Sequence, residues 1–363
     1  MSALTDTASA RLPEPFTEPE TSRAMFWWLV IVAAFVVAMI LVGGATRLTD
    51  SGLSITEWRP VTGAIPPMSE EAWEAELEKY RQIPEYREQN RGMSMAEFQF
   101  IYWWEWGHRQ LGRTLGLVYA LPFAFFLWRG IAPKRLRPRL WLLFGLGGLQ
   151  GAIGWWMVSS GLADRLDVSQ YRLATHLTMA FLILGLALWT ALDLRYGAAK
   201  LALRSGLFPL AALFWAGVLV QIALGAFVAG LDAGRIYTSW PFFHGQLVPD
   251  DYLGGLPFWQ AIFESRPAVQ LQHRWFAYLL TGFGLFLAWR FWRQGGGVVT
   301  RFALILPAVL LAQVLVGIVT LVNAAPLWLS LIHQGGAIAL FAVAGTAAWT
   351  LSRAEGAARG PRS

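Results

Sequence analysis

Residues 24–46 read AMFWWLVIVAAFVVAMILVGGAT, and no ionisable side chain falls between Ala24 and Ala45. A helix needs about 20 mostly apolar residues to cross the hydrocarbon core of a bilayer. This stretch therefore predicts a membrane-spanning helix and sets the class of the whole chain. The composition agrees: of 363 residues, 56% are hydrophobic and 14% charged, against about 25% charged in a soluble domain. Twenty Trp and 36 Gly suit a membrane interior and its interfaces. The absence of Cys excludes disulfides, thiolate-bound metals, iron–sulfur clusters and a Cys nucleophile.

Working outward from the first span, further stretches qualify at 107–129, 139–160, 171–192, 207–230, 272–293, 302–322 and 327–350. The expected fold is all-α, a polytopic membrane protein with eight transmembrane helices. Basic residues beside the spans set the orientation. Arg129, Lys134, Arg135, Arg137 and Arg139 follow span 2; Arg195, Lys200 and Arg204 follow span 4; Arg290, Arg293 and Arg301 follow span 6; Arg353, Arg359 and Arg362 follow span 8. Both termini are thus expected in the cytoplasm, in a cell inner membrane. Residues 1–23, with Asp6, Glu14, Glu18 and Glu20, lack the pattern of a cleaved signal peptide and read as a cytoplasmic tail, as do residues 353–363. The net charge of +6 is accounted for by topology, which leaves no spare basic patch for nucleic acid. Two outer connections are long, 47–106 and 231–271. In the first, Trp73, Leu77 and Tyr80 fall at helical spacing and predict an amphipathic helix lying on the surface. The second, rich in aromatics, Gly and Pro, is expected to cover a site at the outer face.

The chain repeats itself. Span 1 ends with Gly43 and Gly44 and runs on to Asp50 and Gly52; span 5 ends with Gly225 and Ala226 and runs on to Asp232 and Gly234, at the same offset. His108-Arg109 opens span 2 and His273-Arg274 opens span 6; Gln150 and Gln313 lie in spans 3 and 7; His176 and His333 lie in spans 4 and 8. This predicts two tandem pseudo-symmetric four-helix bundles, residues 24–195 and 196–352, in parallel orientation.

Four of the five His occupy the four spans that run in one direction, at a common depth near the outer end. An imidazole inside a membrane is costly without a partner. Without Cys, and with few buried carboxylates, zinc or a di-iron centre lacks its ligands. Two His from two helices of one bundle suit axial ligation of a heme iron, which pairs His108 with His176 and His273 with His333. Gly112, Gly116, Gly151, Gly154, Gly317, Gly335 and Gly336 would make room for a flat ring. His244, in the outer loop, reads as structural or surface.

The halves differ at one titratable position. EWGHR at 105–109 places Glu105 one turn before His108; QLQHR at 270–274 places Gln270 there. A carboxylate at a heme edge can move protons and an amide cannot, so the first bundle reads as the reactive site and the second as a permanent heme or electron relay. Arg109 and Arg274 are candidate partners for heme propionates.

The EWGHR motif and the segment TDSGLSITEWRPVTGAIPP at 49–67, with the repeat and the four His, resemble the heme A synthase family over nearly the whole chain. The resemblance implies an oxidoreductase that converts heme O to heme A, oxidising a ring methyl to a formyl group by successive hydroxylations. It implies substrate heme at His108 and His176 with Glu105 essential, and a heme b at His273 and His333. Some bacterial members carry a cysteine pair in an outer loop; this chain has none and resembles the mitochondrial and alphaproteobacterial kind. Implied partners are heme O synthase, cytochrome oxidase assembly factors and an unidentified electron donor or acceptor, with a homo-oligomer left open. Read from the residues alone, a membrane cytochrome b carrying electrons without heme chemistry, and a cofactor-free transporter, remain as alternatives.

Overall fold

The computed structural model describes residues 12, 14–17, 22–163, 165–197, 201–204 and 206–355. The expected tail positions Asp6, Glu18, Glu20, Arg359 and Arg362, and Lys200 of the loop after span 4, lie outside them. Among the described residues the chain forms eleven α-helices: α1 (Arg23–Leu48), α2 (Glu70–Arg81), α3 (Pro84–Glu88), α4 (Met95–Trp128), α5 (Arg137–Val158), α6 (Gln170–Tyr196), α7 (Phe208–Gly230), α8 (Phe258–Glu264), α9 (Arg266–Gln294), α10 (Gly297–Val322) and α11 (Leu327–Ser352). One addition to the all-helical expectation is a short parallel pair, β1 (Leu201–Arg204) with β2 (Ala354–Glu355).

Among the described residues, seven helices are long and apolar enough to cross a membrane: α1, α4, α5, α6, α7, α10 and α11. The eighth long helix, α9, is less apolar. Its uncharged stretch runs only from Trp275 to Trp289, between Arg274 and Arg290, although it packs against α7 and α10 like its neighbours. Large apolar side chains such as Trp128 (78% exposed), Leu279 (69%) and Leu304 (69%) point away from the protein, as expected where lipid replaces water as solvent.

The helix ends follow their local chemistry. Ser22 caps α1 by accepting from the Met25 amide at 3.3 Å. Ser94 and Glu97 form a reciprocal capping box, Glu97 N–H to Ser94 Oγ at 3.3 Å and Ser94 N–H to Glu97 Oε2 at 2.8 Å. That cap starts α4 at Met95, so the helix projects well beyond the expected span start at 107. Asp50 and Asp232, which follow α1 and α7, both adopt left-handed backbone, with φ of 50° and 49°, so the sequence repeat is also a repeated turn.

Helices α1, α6, α7 and α11 pack on one another at the centre. Helices α4 and α5 flank α1 and α6, and α9 and α10 flank α7 and α11. One continuous apolar core, with Leu29, Phe181, Phe214 and Phe341 among its buried members, runs through all eight. The flanks differ. α9 and α10 pack extensively on each other, whereas α4 and α5 touch little. Their contact lies toward the end of the bundle that carries the chain termini, where Tyr119 stacks on Phe144 at 6.1 Å, Phe123 meets Trp141 at 4.9 Å and Tyr119 Oη donates to the Leu140 carbonyl at 2.7 Å. Further along α5, Gly145, Gly147, Gly148 and Gly151 face open space.

Polar ties hold the two ends of the assembly. Arg47, at the end of α1, pairs with Asp50 (2.9 Å), Asp232 (3.0 Å) and Asp167 (3.4 Å), joining segments from both halves of the sequence. At the other end the buried Asp193 of α6 pairs with Arg139 of α5 at 2.6 Å and with Arg353, and accepts from Trp349 Nε1 at 2.8 Å.

Beyond the spans, α2, α3 and the projecting part of α4 enclose a second apolar cluster that includes Leu53, Ile55, Leu77, Tyr80, Phe98 and Tyr102. The predicted α2 is present, but it packs its Trp73 against Phe98 and Tyr102 instead of lying free on a surface. Glu85 is buried in this cluster, accepting from Tyr80 Oη at 3.2 Å, with its Oε2 unpartnered. Burial, opposed by the Tyr80 hydrogen bond and reinforced by the charges of Glu105, Asp167 and Asp50, pushes its carboxyl from 4.5 up to about 8. The folded state therefore binds a proton that the unfolded chain releases, and stability falls as pH rises from 4.5 through 8. Glu85→Gln is expected to flatten that slope and to stabilise the outer unit at pH 8 by on the order of 1–3 kcal/mol. Thermal unfolding of both proteins at pH 5 and pH 8 checks this; equal gains at the two pH values would count against it.

Candidate functional site

Each of the four membrane histidines faces a glycine on the neighbouring helix. A Cβ placed on Gly43 of α1 would lie 3.0 Å from His108 Nε2, and one on Gly154 of α5 would lie 3.0 Å from His176 Cε1. In the second half, a Cβ on Gly225 of α7 would lie 3.1 Å from His273 Cε1, and one on Gly317 of α10 would lie 2.8 Å from His333 Cε1. At contacts this close a larger residue would have to displace the imidazole, so each glycine helps to set where its ring sits. Gly154 and Gly317, expected to make room for a flat ring, stand against the imidazoles themselves. Gly43 and Gly225, noticed only as repeat markers, do the same. Gly116 and Gly151 face open space, Gly112 and Gly335 have only a Met39 or Leu41 carbon in range, and Gly336 accommodates the Gln313 amide.

The rings of His273 and His333 are 6.5 Å apart between centroids and nearly perpendicular, at 82°. A separation of that size leaves space for one metal atom between two imidazoles when each metal–nitrogen bond is about 2 Å. Several buried polar atoms around three of the four rings have no partner: His176 Nδ1 and the amide oxygens of Gln150, Gln221 and Gln313. Orphans of this kind ask for a ligand or for a ring turned to meet them. Among the described residues no group of three or more His, Asp or Glu could hold a metal ion unaided. The donor set therefore fits a metal that brings its own equatorial ligands, as heme iron does.

Glu105 is buried, 2% exposed, and each carboxylate oxygen is doubly engaged. Oε2 accepts from Ser54 Oγ at 2.8 Å and from the Ile55 amide at 2.7 Å; Oε1 accepts from Arg109 Nε at 3.1 Å and Nη2 at 2.6 Å. Arg109 also donates to the carbonyls of Ile55 and Glu57 at 2.7 and 2.8 Å. Together they fasten the start of the 49–67 segment onto α4, beside a cavity of about 220 Å³ lined by Glu57, Arg59, Glu76, Tyr102, Arg109 and Arg113. Ser54 and Ile55 were not singled out from the sequence as contacts of this site.

The second half keeps the architecture without the ion pair. Gln270 donates its amide to the carbonyls of Ala233 and Tyr237 at 2.8 and 3.1 Å. Arg274 donates to the carbonyls of Ser239 and Pro241 at 3.0 and 2.9 Å and lies 3.9 Å from the centre of the Phe243 ring. Its Nε and Nη1 are buried without partners, spare donors that an anionic oxygen would satisfy. Arg109 keeps no such spare donor. His244 is exposed, beside Tyr237 at 5.0 Å, and joins neither pair.

A family model described as cytochrome oxidase assembly protein, COX15-CtaA, matches residues 26–344. The chain is similar to a protein named heme A synthase from Maricaulis maris (strain MCS10), 56% identical over 341 residues that cover 94% of this chain and 99% of that one. It is also similar to proteins of the same name from Parvibaculum lavamentivorans (50% identical, covering 91% and 94%) and Bradyrhizobium diazoefficiens (48% identical, covering 94% and 96%).

Proposed function

Because the chain belongs to this family of cytochrome oxidase assembly proteins, we propose that it is a heme A synthase, taking heme O as substrate and giving heme A by oxidation of one ring methyl to a formyl group. The observation that carries the reading is the set of four glycine-backed imidazoles, two in each half. In this reading all eight long helices, α9 included, cross a cell inner membrane with both termini cytoplasmic, as two tandem pseudo-symmetric bundles.

His108 and His176 hold the substrate heme, and His273 and His333 hold a heme b. Bound iron supplies the one-electron chemistry that the protein's own groups lack. The spare donors of Arg274 take a propionate of the second heme. Glu105 serves as the acid–base group of the first half, with Ser54 Oγ, 2.8 Å from its Oε2, as the adjoining proton carrier. Arg109 holds that carboxylate in place and keeps the outer segment over the site. A heme held by His273 and His333 would supply a redox centre for exchange with a partner; heme O synthase and oxidase assembly factors are the natural neighbours in the membrane.

Extraction of the hemes from the purified full-length protein tests the reading. Heme O or heme A beside heme B is expected. Heme B alone would mean a cytochrome b that only carries electrons, and a colourless protein would mean neither.

A further inference from the structure

Three of the four membrane imidazoles share a support that the fourth lacks. A glutamine on the adjacent helix donates its side-chain amide to the backbone carbonyl of the histidine: Gln150 to His176 at 3.0 Å, Gln221 to His273 at 3.0 Å and Gln313 to His333 at 2.9 Å. The amides also lie against the rings, Gln221 Nε2 being 3.0 Å from His273 Nδ1 and Gln313 Nε2 3.2 Å from His333 Nδ1. Each of the three glutamines keeps a buried amide oxygen without a partner, so the amide nitrogen is what ties it to the histidine. Gln221 stands one helical turn before Gly225, the glycine that faces His273. One turn before Gly43, the glycine that faces His108, the chain has Met39. The methyl of Met39 lies 3.6 Å from where a Cβ on Gly112 would stand, so this side chain fills the space between α1 and α4, one turn along α4 from His108.

A histidine that ligates a metal is oriented by the groups hydrogen-bonded to it, and losing such a group typically costs about 10–100-fold in affinity. A thioether has no hydrogen to donate to the histidine carbonyl. We infer that His108 is the detachable ligand of the four, and that Met39, standing where the second half has Gln221, is the residue that makes it so. The inference rests on the reading of the His108–His176 pair as the substrate site. A site that takes in one iron porphyrin and gives up another on every turnover needs one ligand that lets go. A resident heme needs two that do not.

The test uses the purified full-length protein, with the hemes it carries, mixed with excess apomyoglobin, heme transfer being followed by absorbance. The wild type should release heme in a fast and a slow phase. Met39→Gln should slow the fast phase by roughly 10–100-fold and increase the low-spin ferric EPR signal of that heme. Gln221→Met should accelerate the slow phase by a similar factor. Met39→Leu, which keeps the volume and removes the sulfur, should match the wild type. An unchanged fast phase in Met39→Gln, or an unchanged slow phase in Gln221→Met, overturns the inference. A tenfold change in Met39→Leu would also overturn it, by making the sulfur itself a ligand. If Met39→Gln does not accumulate, Gln221→Met decides alone. A colourless wild type would sink the reading of the site itself, a separate failure.

Discussion

Exchanging Glu105 for Gln is expected to abolish formation of the formyl product, by at least about 100-fold, while both hemes stay bound. The second half shows why the fold should tolerate the change. Gln270 occupies the corresponding place, fastens its outer segment through two carbonyls, and leaves Arg274 bonded through Nη2 alone to backbone oxygens, against the Phe243 ring. Two roles of Glu105 would otherwise be confounded, since the carboxylate both adjoins Ser54 and anchors Arg109. Ser54→Ala separates them. It removes one hydrogen bond to the carboxylate and leaves the ion pair intact, so a loss of about fivefold is expected, in line with one hydrogen bond of about 1 kcal/mol. Heme A formed per mole of heme-loaded protein is the measurement. Full activity in Glu105→Gln would remove the assignment.

The second large effect concerns the glycines that face the imidazoles. Gly317→Val places a Cβ 2.8 Å from His333 Cε1, and Gly43→Val places one 3.0 Å from His108 Nε2. Each should push the ring out of place while costing the apoprotein only about 1–3 kcal/mol of overpacking. Each variant is expected to accumulate in the membrane and to lose about half of its heme per polypeptide, since one of two iron sites loses a ligand. The loss should be selective: heme B from Gly317→Val, heme O or A from Gly43→Val. Wild-type heme content and composition in both variants would show that the imidazoles hold no iron.

Much of the fold was legible because membrane spans are written in length and hydropathy, which depend on no partner. The expected spans match the long helices to within a few residues, with two instructive exceptions. α4 begins at Met95 because of a capping box at Ser94 and Glu97, a local signal present in the sequence and overlooked there. α9 is the least apolar of the eight, because Gln270, Gln272, His273 and Arg274 crowd one end and Arg290 and Arg293 the other. The four His were legible from their shared depth, and Glu105 from the contrast with Gln270. The Ser54 and Ile55 contacts were not, since the docking of a loop on a helix about fifty residues away leaves no periodic trace. Nor was the Arg47 bridge, which joins Asp50, Asp167 and Asp232 across the sequence. Gln150 and Gln313 stood out only as repeat markers, and their bonds to histidine carbonyls emerge only once the helices are paired.

On the proposed function, an iron porphyrin leaving between α4 and α5, which are bound together mainly by Tyr119, Phe123, Trp141 and Phe144, would stay in the monolayer that their open end faces. Carrying a charged group through the bilayer centre costs at least about 3 kcal/mol, and a porphyrin with two propionates bears two such groups. On the proposed function, the protein that supplies the isoprenoid porphyrin and the one that collects the product must therefore meet it on the same side of the bilayer midplane, with no flip-flop between synthesis and delivery.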